Sequence, residues 1–228
     1  MTRDLRSVLD LLSPGMRVFM PGGAGEPTAF LKALAASPER ANGVTFVGTW
    51  LPTINQTDVS GLAPASTSVG FFLPESFRAS FEAGRYTHLP LDYTEIYRYL
   101  GRGAEIDLAI ATVAPPVGGK VSLGTSQDFL PAVLPTRARF VGLANPEMPT
   151  VRDGLAVDID RLEQLIEVDE PLFAFQSAGP GTAGAAIGQH VAGLVDDGDT
   201  FEIGIGRLVP AVLAALRGHR NLAVHTGL

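Results

Sequence analysis

Short apolar runs rich in β-branched and aromatic residues alternate with stretches of helical spacing, and this alternation constrains the fold more than any other feature. Residues 16–20 form an apolar run that stops at Pro21, and residues 28–36 follow with Phe30, Leu31 and Leu34 on one helical face. Residues 44–49 read as the next strand. A less regular stretch, 61–72, has Ser, Thr and Gly around a strand that ends in Phe71 and Phe72. Residues 95–100 read as a helix, 106–113 as a buried strand, 129–134 as a helix and 139–143 as a strand. Such alternation favours an α/β fold, a largely parallel sheet covered by helices. Units of this kind place ligands at the carboxyl ends of strands. The glycine-rich loops of this chain fall at such ends.

The pattern restarts after a Ser, Gly and Pro cluster at 176–181. A helix at 183–195, a turn at 196–199, a strand at 200–205, a helix at 210–216 and a strand at 222–225 follow. About 45 residues are too few for an independent domain. The expected organisation is one domain over 1–178 and the truncated beginning of a second α/β domain over 179–228.

Composition narrows the function classes. The 228 residues are 46% hydrophobic and carry a net charge of −7. Lys32 and Lys120 are the two lysines, and the arginines are scattered, so no basic stripe marks a nucleic-acid binder. The seven acids between Asp153 and Glu170 read as a solvated helix face. Without cysteine there is no disulfide framework, thiolate nucleophile or cysteine metal site. Residues 1–14 alternate charges with leucines, as an amphipathic helix does and a signal peptide does not. No apolar run approaches the roughly 20 residues that span a bilayer. A soluble, cytoplasmic protein with no nucleic-acid or membrane partner is expected.

Three motifs invite chemistry. In Pro21-Gly22-Gly23-Ala24-Gly25-Glu26-Pro27, glycines between a strand and a helix let backbone N–H groups converge on an anion or an oxyanion. By spacing alone, a ligand-free strand-to-helix turn is the simpler account. Gly179-Pro180-Gly181-Thr182-Ala183-Gly184 matches G-x-G-x-x-G. However, Pro180 removes a donor, and Glu202 lies inside the next strand, not at its end where a ribose-binding acid belongs. A linker and helix start fit better. Gly124-Thr125-Ser126-Gln127-Asp128 approaches a nucleophile elbow but lacks the final glycine, and no spacing pairs it with His88, His190, His219 or His225. No H-x-x-x-H pair is present, so no metal site is expected.

The order of motifs carries more than any one of them. Gly22-Gly23-Ala24-Gly25-Glu26-Pro27 resembles the first glycine loop of the acetyl-CoA hydrolase / 4-hydroxybutyrate (butyrate-type) CoA-transferase family. Phe77-Arg78, Gly84-Arg85 and His88-Leu89-Pro90 resemble its next block. Ile106-Asp107-Leu108-Ala109, Ala114-Pro115-Pro116 and Val121-Ser122-Leu123-Gly124 are similar to a further stretch, and Asn145-Pro146-Glu147-Met148-Pro149 to the family's N-x-x-M-P signature. Val168-Asp169-Glu170-Pro171 recurs next. Residues 192–206, with Asp197-Gly198 and Gly204-Ile205-Gly206, and finally His225-Thr226-Gly227-Leu228 complete a collinear resemblance over 16–228.

The resemblance implies the N-terminal part of a two-domain CoA-transferase fold, with the active site between the domains and a homo-oligomer as the usual assembly. It implies an acyl-CoA (acetyl-CoA-type) transferase or hydrolase acting on a CoA thioester and a small carboxylate. Coenzyme A is then a substrate, and no cofactor is bound. By position, Ile205 and Gly206 supply oxyanion amides, Gly22, Gly23 and Gly25 line the facing wall, and Asn145 and Met148 lie nearby. Three departures stand out. Gly227 occupies the position of the family's catalytic glutamate, Val117 replaces an acid after the double proline, and Pro210 falls one position late. A glycine has no carboxylate to form an acyl anhydride. Glu26 is the candidate carboxylate for activating water instead. The alternative is a catalytically silent subunit that binds an acyl-CoA or a partner.

Overall fold

The computed structural model describes residues 4–52, 54–172, 181–204, 206 and 208–226. The chain divides into two compact units, residues 1–173 and 174–228.

The first unit is built on seven strands: β1 (Arg17–Met20), β2 (Thr45–Gly48), β3 (Thr67–Gly70), β4 (Tyr86–His88), β5 (Leu108–Val113), β7 (Arg139–Ala144) and β9 (Gln164–Glu167). They pair in the order β4-β3-β2-β1-β5-β7-β9, every pair parallel. The expected parallel α/β architecture is therefore present. Two further short strands, β6 (Lys120–Ser122) and β8 (Ala156–Asp158), form a separate antiparallel pair.

Strand alternation builds two apolar layers. Val18, Met20, Phe46, Leu108, Ile110, Val141 and Leu143 face Val8 and Leu9 of helix α1 (Leu5–Leu9) and Phe30 and Leu34 of α2 (Thr28–Ala36). Their neighbours Phe19, Val47, Ala109, Ala111 and Phe140 face Ile96 and Leu100 of α4 (Tyr93–Arg102) and Leu130 and Val133 of α5 (Leu130–Val133). A strand covered on both faces must be apolar at every position, and all six residues of β5 are buried. Helix α3 (Arg78–Glu82) leads into β4. Next to it, Trp50 stacks on Phe77 and Tyr86 at centroid distances of 5.1 and 5.9 Å.

One expectation fails. The acidic stretch 153–170 is not a helix face: it contains β8, a 3-10 turn (Ile159–Arg161) and the edge strand β9. Gln164 and Ile166 turn inward in β9 while Glu167 stays in water, a period of two.

The second unit contains α6 (Gly181–Ala192), β10 (Thr200–Ile203), α7 (Val209–Ala215) and β11 (Ala223–Thr226). Strands β10 and β11 are parallel, with Ile203 opposite Thr226. Helices α6 and α7 approach closely at Gly188, where a Cβ would stand 2.7 Å from the carbonyl oxygen of Ala211. Glu202 lies inside β10, as the sequence indicated. Gly179 and Pro180 lie outside the described residues, as does most of the 176–181 cluster.

Candidate functional site

From β1 the chain moves outward through β2, β3 and β4, then returns to the other side of β1 as β5. The strand order reverses between β1 and β5. In parallel sheets the crevice at the carboxyl ends of two such strands is where ligands bind. Residues 21–26 occupy that place, directly after Met20 at the end of β1.

The loop is tightly held. It forms a 3-10 turn at Gly23–Gly25, with Gly23 at φ +58. A Cβ on Gly22 would stand 2.1 Å from the Thr49 carbonyl oxygen, and one on Gly25 would stand 2.7 Å from that of Ser126. The glycines are thus required by close backbone approach. Side chains from distant segments engage the loop's polar groups. The Gly22 N–H donates to Asp128 Oδ2 at 2.9 Å. Ser126 Oγ donates to the Gly22 carbonyl at 3.0 Å. The Gly23 N–H donates to Asn55 Oδ1 at 3.2 Å, and Asn55 Oδ1 also accepts from Leu51 N–H at 3.2 Å. The amides of Gly22 and Gly23 therefore shape the loop in this structure.

Glu26 closes the loop and is 7% exposed. Its carbonyl oxygen accepts from Thr112 Oγ1 of β5 at 2.9 Å and from Thr28 N–H at 2.9 Å. Burial pushes its carboxyl up to about 7, against a smaller opposing pull from the Asn55 side chain. Glu26 Oε1, Asn55 Nδ2 and Thr49 Oγ1 are all shielded from solvent and make no hydrogen bond of ordinary geometry. Asp128 is a second carboxyl raised by burial, held back by the Gly22 N–H, the nearby Thr49 side chain and the Phe129 backbone. No salt bridge reaches Glu26 or Asp128 among the described residues.

Asn145 and Met148 fall at the same edge of the sheet, after β7. Asn145 is buried, donates through Nδ2 to the Glu170 carbonyl at 2.7 Å and accepts from the Glu147 N–H at 2.9 Å. Met148 is buried against Gly124, where a Cβ would stand 2.1 Å from its sulfur. Met148 thus supports the loop that presents Ser126 and Asp128, and Asn145 shapes the turn that carries Met148. Ser126 is no triad nucleophile here, because its hydroxyl is engaged with Gly22. Val117 is exposed beside a tight turn at Gly118 and Gly119.

Within the second unit, β10 and β11 end side by side at Ile203 and Thr226. Gly206 adopts φ +149, a backbone state suited to glycine. Ile205 and Gly227 lie outside the described residues.

Comparison with known proteins accounts for the pattern. A succinyl-CoA:acetate/propanoyl-CoA:succinate CoA transferase from Fasciola hepatica is 28% identical over 218 residues, covering 94% of this chain and 46% of that protein. The chain is similar to CoA transferases over most of its own length. A 4-hydroxybutyrate coenzyme A transferase from Clostridium kluyveri is 24% identical over 92% of the chain and 49% of that enzyme. A solved 4-hydroxybutyrate CoA-transferase from Porphyromonas gingivalis superposes with a TM-score of 0.70 at 28% identity, covering 99% of this chain and 53% of that one. The chain spans about half the length of the curated relatives it matches. No family model matches it.

Thr49, Asn55, Thr112 and Asp128 were not singled out for this site from the sequence. Only Asp128 carried a signal, as the last residue of the elbow-like motif. Asn55 and Thr112 are ordinary polar residues until the strand order brings them to β1.

Proposed function

We propose that this chain forms part of an acyl-CoA transferase or hydrolase acting on a CoA thioester and a small carboxylate. The observation that carries the proposal is a collinear similarity to CoA transferases over 94% of the chain, combined with the placement of its first glycine loop at the sheet's switch point.

Gly227 has no side chain, so a covalent acyl-enzyme cannot form there. Glu26 is the carboxyl best suited to replace that chemistry with hydrolysis. A group whose pKa is about 7 is divided between acid and base at neutral pH, the condition under which proton transfer in both directions is efficient. In the hydrolytic reaction Glu26 takes a proton from water as the water oxygen bonds to the thioester carbonyl carbon. The carbon–sulfur bond then breaks, and the proton is returned to the departing thiolate. Acid and free CoA thiol are the products.

A second possibility follows from the same substitution: a catalytically silent subunit that keeps the acyl-CoA site. Thiol release from acetyl-CoA, measured with and without acetate or succinate, separates the two. Turnover lost in Glu26→Gln supports the enzyme. Calorimetric binding of acetyl-CoA without thiol release under any condition supports the silent subunit. Neither binding nor turnover would refute both.

A further inference from the structure

Resting on that functional proposal, we infer that Asp128 and Ser126 are positioning residues: together they clamp the backbone of the glycine loop and thereby set the place of Glu26 for turnover. The elbow-like sequence Gly124-Thr125-Ser126-Gln127-Asp128 then has a role that a nucleophile motif does not supply.

The geometry is specific. Two successive peptide groups of the loop are held. The 21–22 peptide is held through its N–H by Asp128. The 22–23 peptide is held at both ends, its carbonyl by Ser126 Oγ and its N–H by Asn55 Oδ1. On the opposite side the Thr49 carbonyl leaves no room even for a methyl group. Glu26 follows within four residues and is anchored by Thr112. Between them, these contacts leave the loop little freedom to move independently of β5 and of the 124–128 segment.

The clamp also carries costs. Asp128 takes φ +43, the left-handed region that most side chains avoid. Its carboxyl is desolvated with no cation bridging it among the described residues, and burial of a polar group is unfavourable without full pairing. Water could have satisfied the Gly22 N–H at a surface turn. Strain and desolvation thus fall together on the residue that holds the Gly22 N–H. Gly124, pressed against Met148, fixes the start of the clamping segment.

The test uses Asp128→Ala, Asp128→Asn and Ser126→Ala in the intact protein. Asparagine keeps an acceptor of the same shape, whereas alanine removes it. Leaving a buried N–H without its acceptor corresponds to roughly a 10–100-fold effect. Amide exchange at Gly22, followed by NMR, should therefore accelerate by about that factor in Asp128→Ala and largely recover in Asp128→Asn. In turnover assays kcat should fall by about tenfold or more while KM for acetyl-CoA changes by less than about threefold, again with recovery in Asp128→Asn. Faster Gly22 exchange in Asp128→Ala, with a wild type that shows no turnover, would refute the enzymatic proposal while leaving the clamp intact. Unchanged Gly22 protection in Asp128→Ala would overturn the clamp. If Asp128→Ala fails to fold, Ser126→Ala decides. Unchanged Gly22–Glu26 exchange in that variant would overturn the clamp, and faster exchange confined to the loop would support it.

Discussion

Asp128 accepts the backbone N–H of Gly22 at 2.9 Å across 106 residues of sequence. That contact joins the loop after the central strand β1 to the segment before α5. It brings two separate motifs into direct contact. It also fixes which parts of the molecule are sensitive to small substitutions.

Gly22→Ala should be among the most damaging single substitutions in the first unit. The added Cβ meets a backbone oxygen at 2.1 Å, so a peptide must move. Overpacking of this sort costs about 1–3 kcal/mol, and here the clamp bonds are lost as well. Gly101→Ala is the contrasting case: in α4 its Cβ meets the Ala132 oxygen at an ordinary 3.4 Å. A gain of about 0.5–1 kcal/mol is expected there from helix preference. Thermal or urea unfolding of both variants provides the comparison.

Glu26 should make stability depend on pH in a defined window. Its pKa rises from 4.5 in the unfolded chain to about 7 in the fold, so the folded state retains the proton longer. Its contribution is fully present below pH 4.5, declines as pH rises, and is lost once pH has passed about 7. The full difference is about 3 kcal/mol. Glu26→Gln cannot ionise, so it should be stabilised relative to wild type at pH 8 and nearly equal to it at pH 4. Parallel unfolding curves at the two pH values would contradict the assignment.

Asn55→Ala tests the other support of the loop. Asn55 is fully buried, and its Oδ1 satisfies the N–H groups of both Gly23 and Leu51. Leaving partly buried donors without an acceptor costs about 1–3 kcal/mol each. A loss of about 2–4 kcal/mol is expected, accompanied by faster amide exchange at Gly23 and Leu51. A change below about 0.5 kcal/mol would show that water replaces the side chain freely.

Far from the site, α4 provides a calibration. Asp92 caps it by accepting the Glu95 N–H at 2.8 Å, while the Glu95 carboxylate accepts the Asp92 N–H at 3.3 Å. Asp92→Ala should cost about 1 kcal/mol, and Asp92→Ser much less. Neither substitution should alter Gly22 exchange.

The sequence by itself determined the class of fold. Local patterns are enough where a strand is buried on both faces or a helix has one apolar side, as in β5 and α2. The collinear motifs also identified the relationship to CoA transferases before any coordinates. Local patterns failed where the element was short or at an edge. β4 is three residues long, and β9 alternates buried and exposed side chains within an acidic stretch, so its charge content suggested a helix face. The site divides in the same way. The glycine loop between a strand and a helix was legible because its spacing is local. The roles of Asn55, Thr112, Ser126 and Asp128 were not, because nothing near them in sequence specifies their partners. Only the tertiary structure decided that β1 lies between β2 and β5, and that order brings their carboxyl ends together. The raised pKa of Glu26 has the same origin, since desolvation depends on what surrounds a carboxyl and not on the residues beside it in the chain.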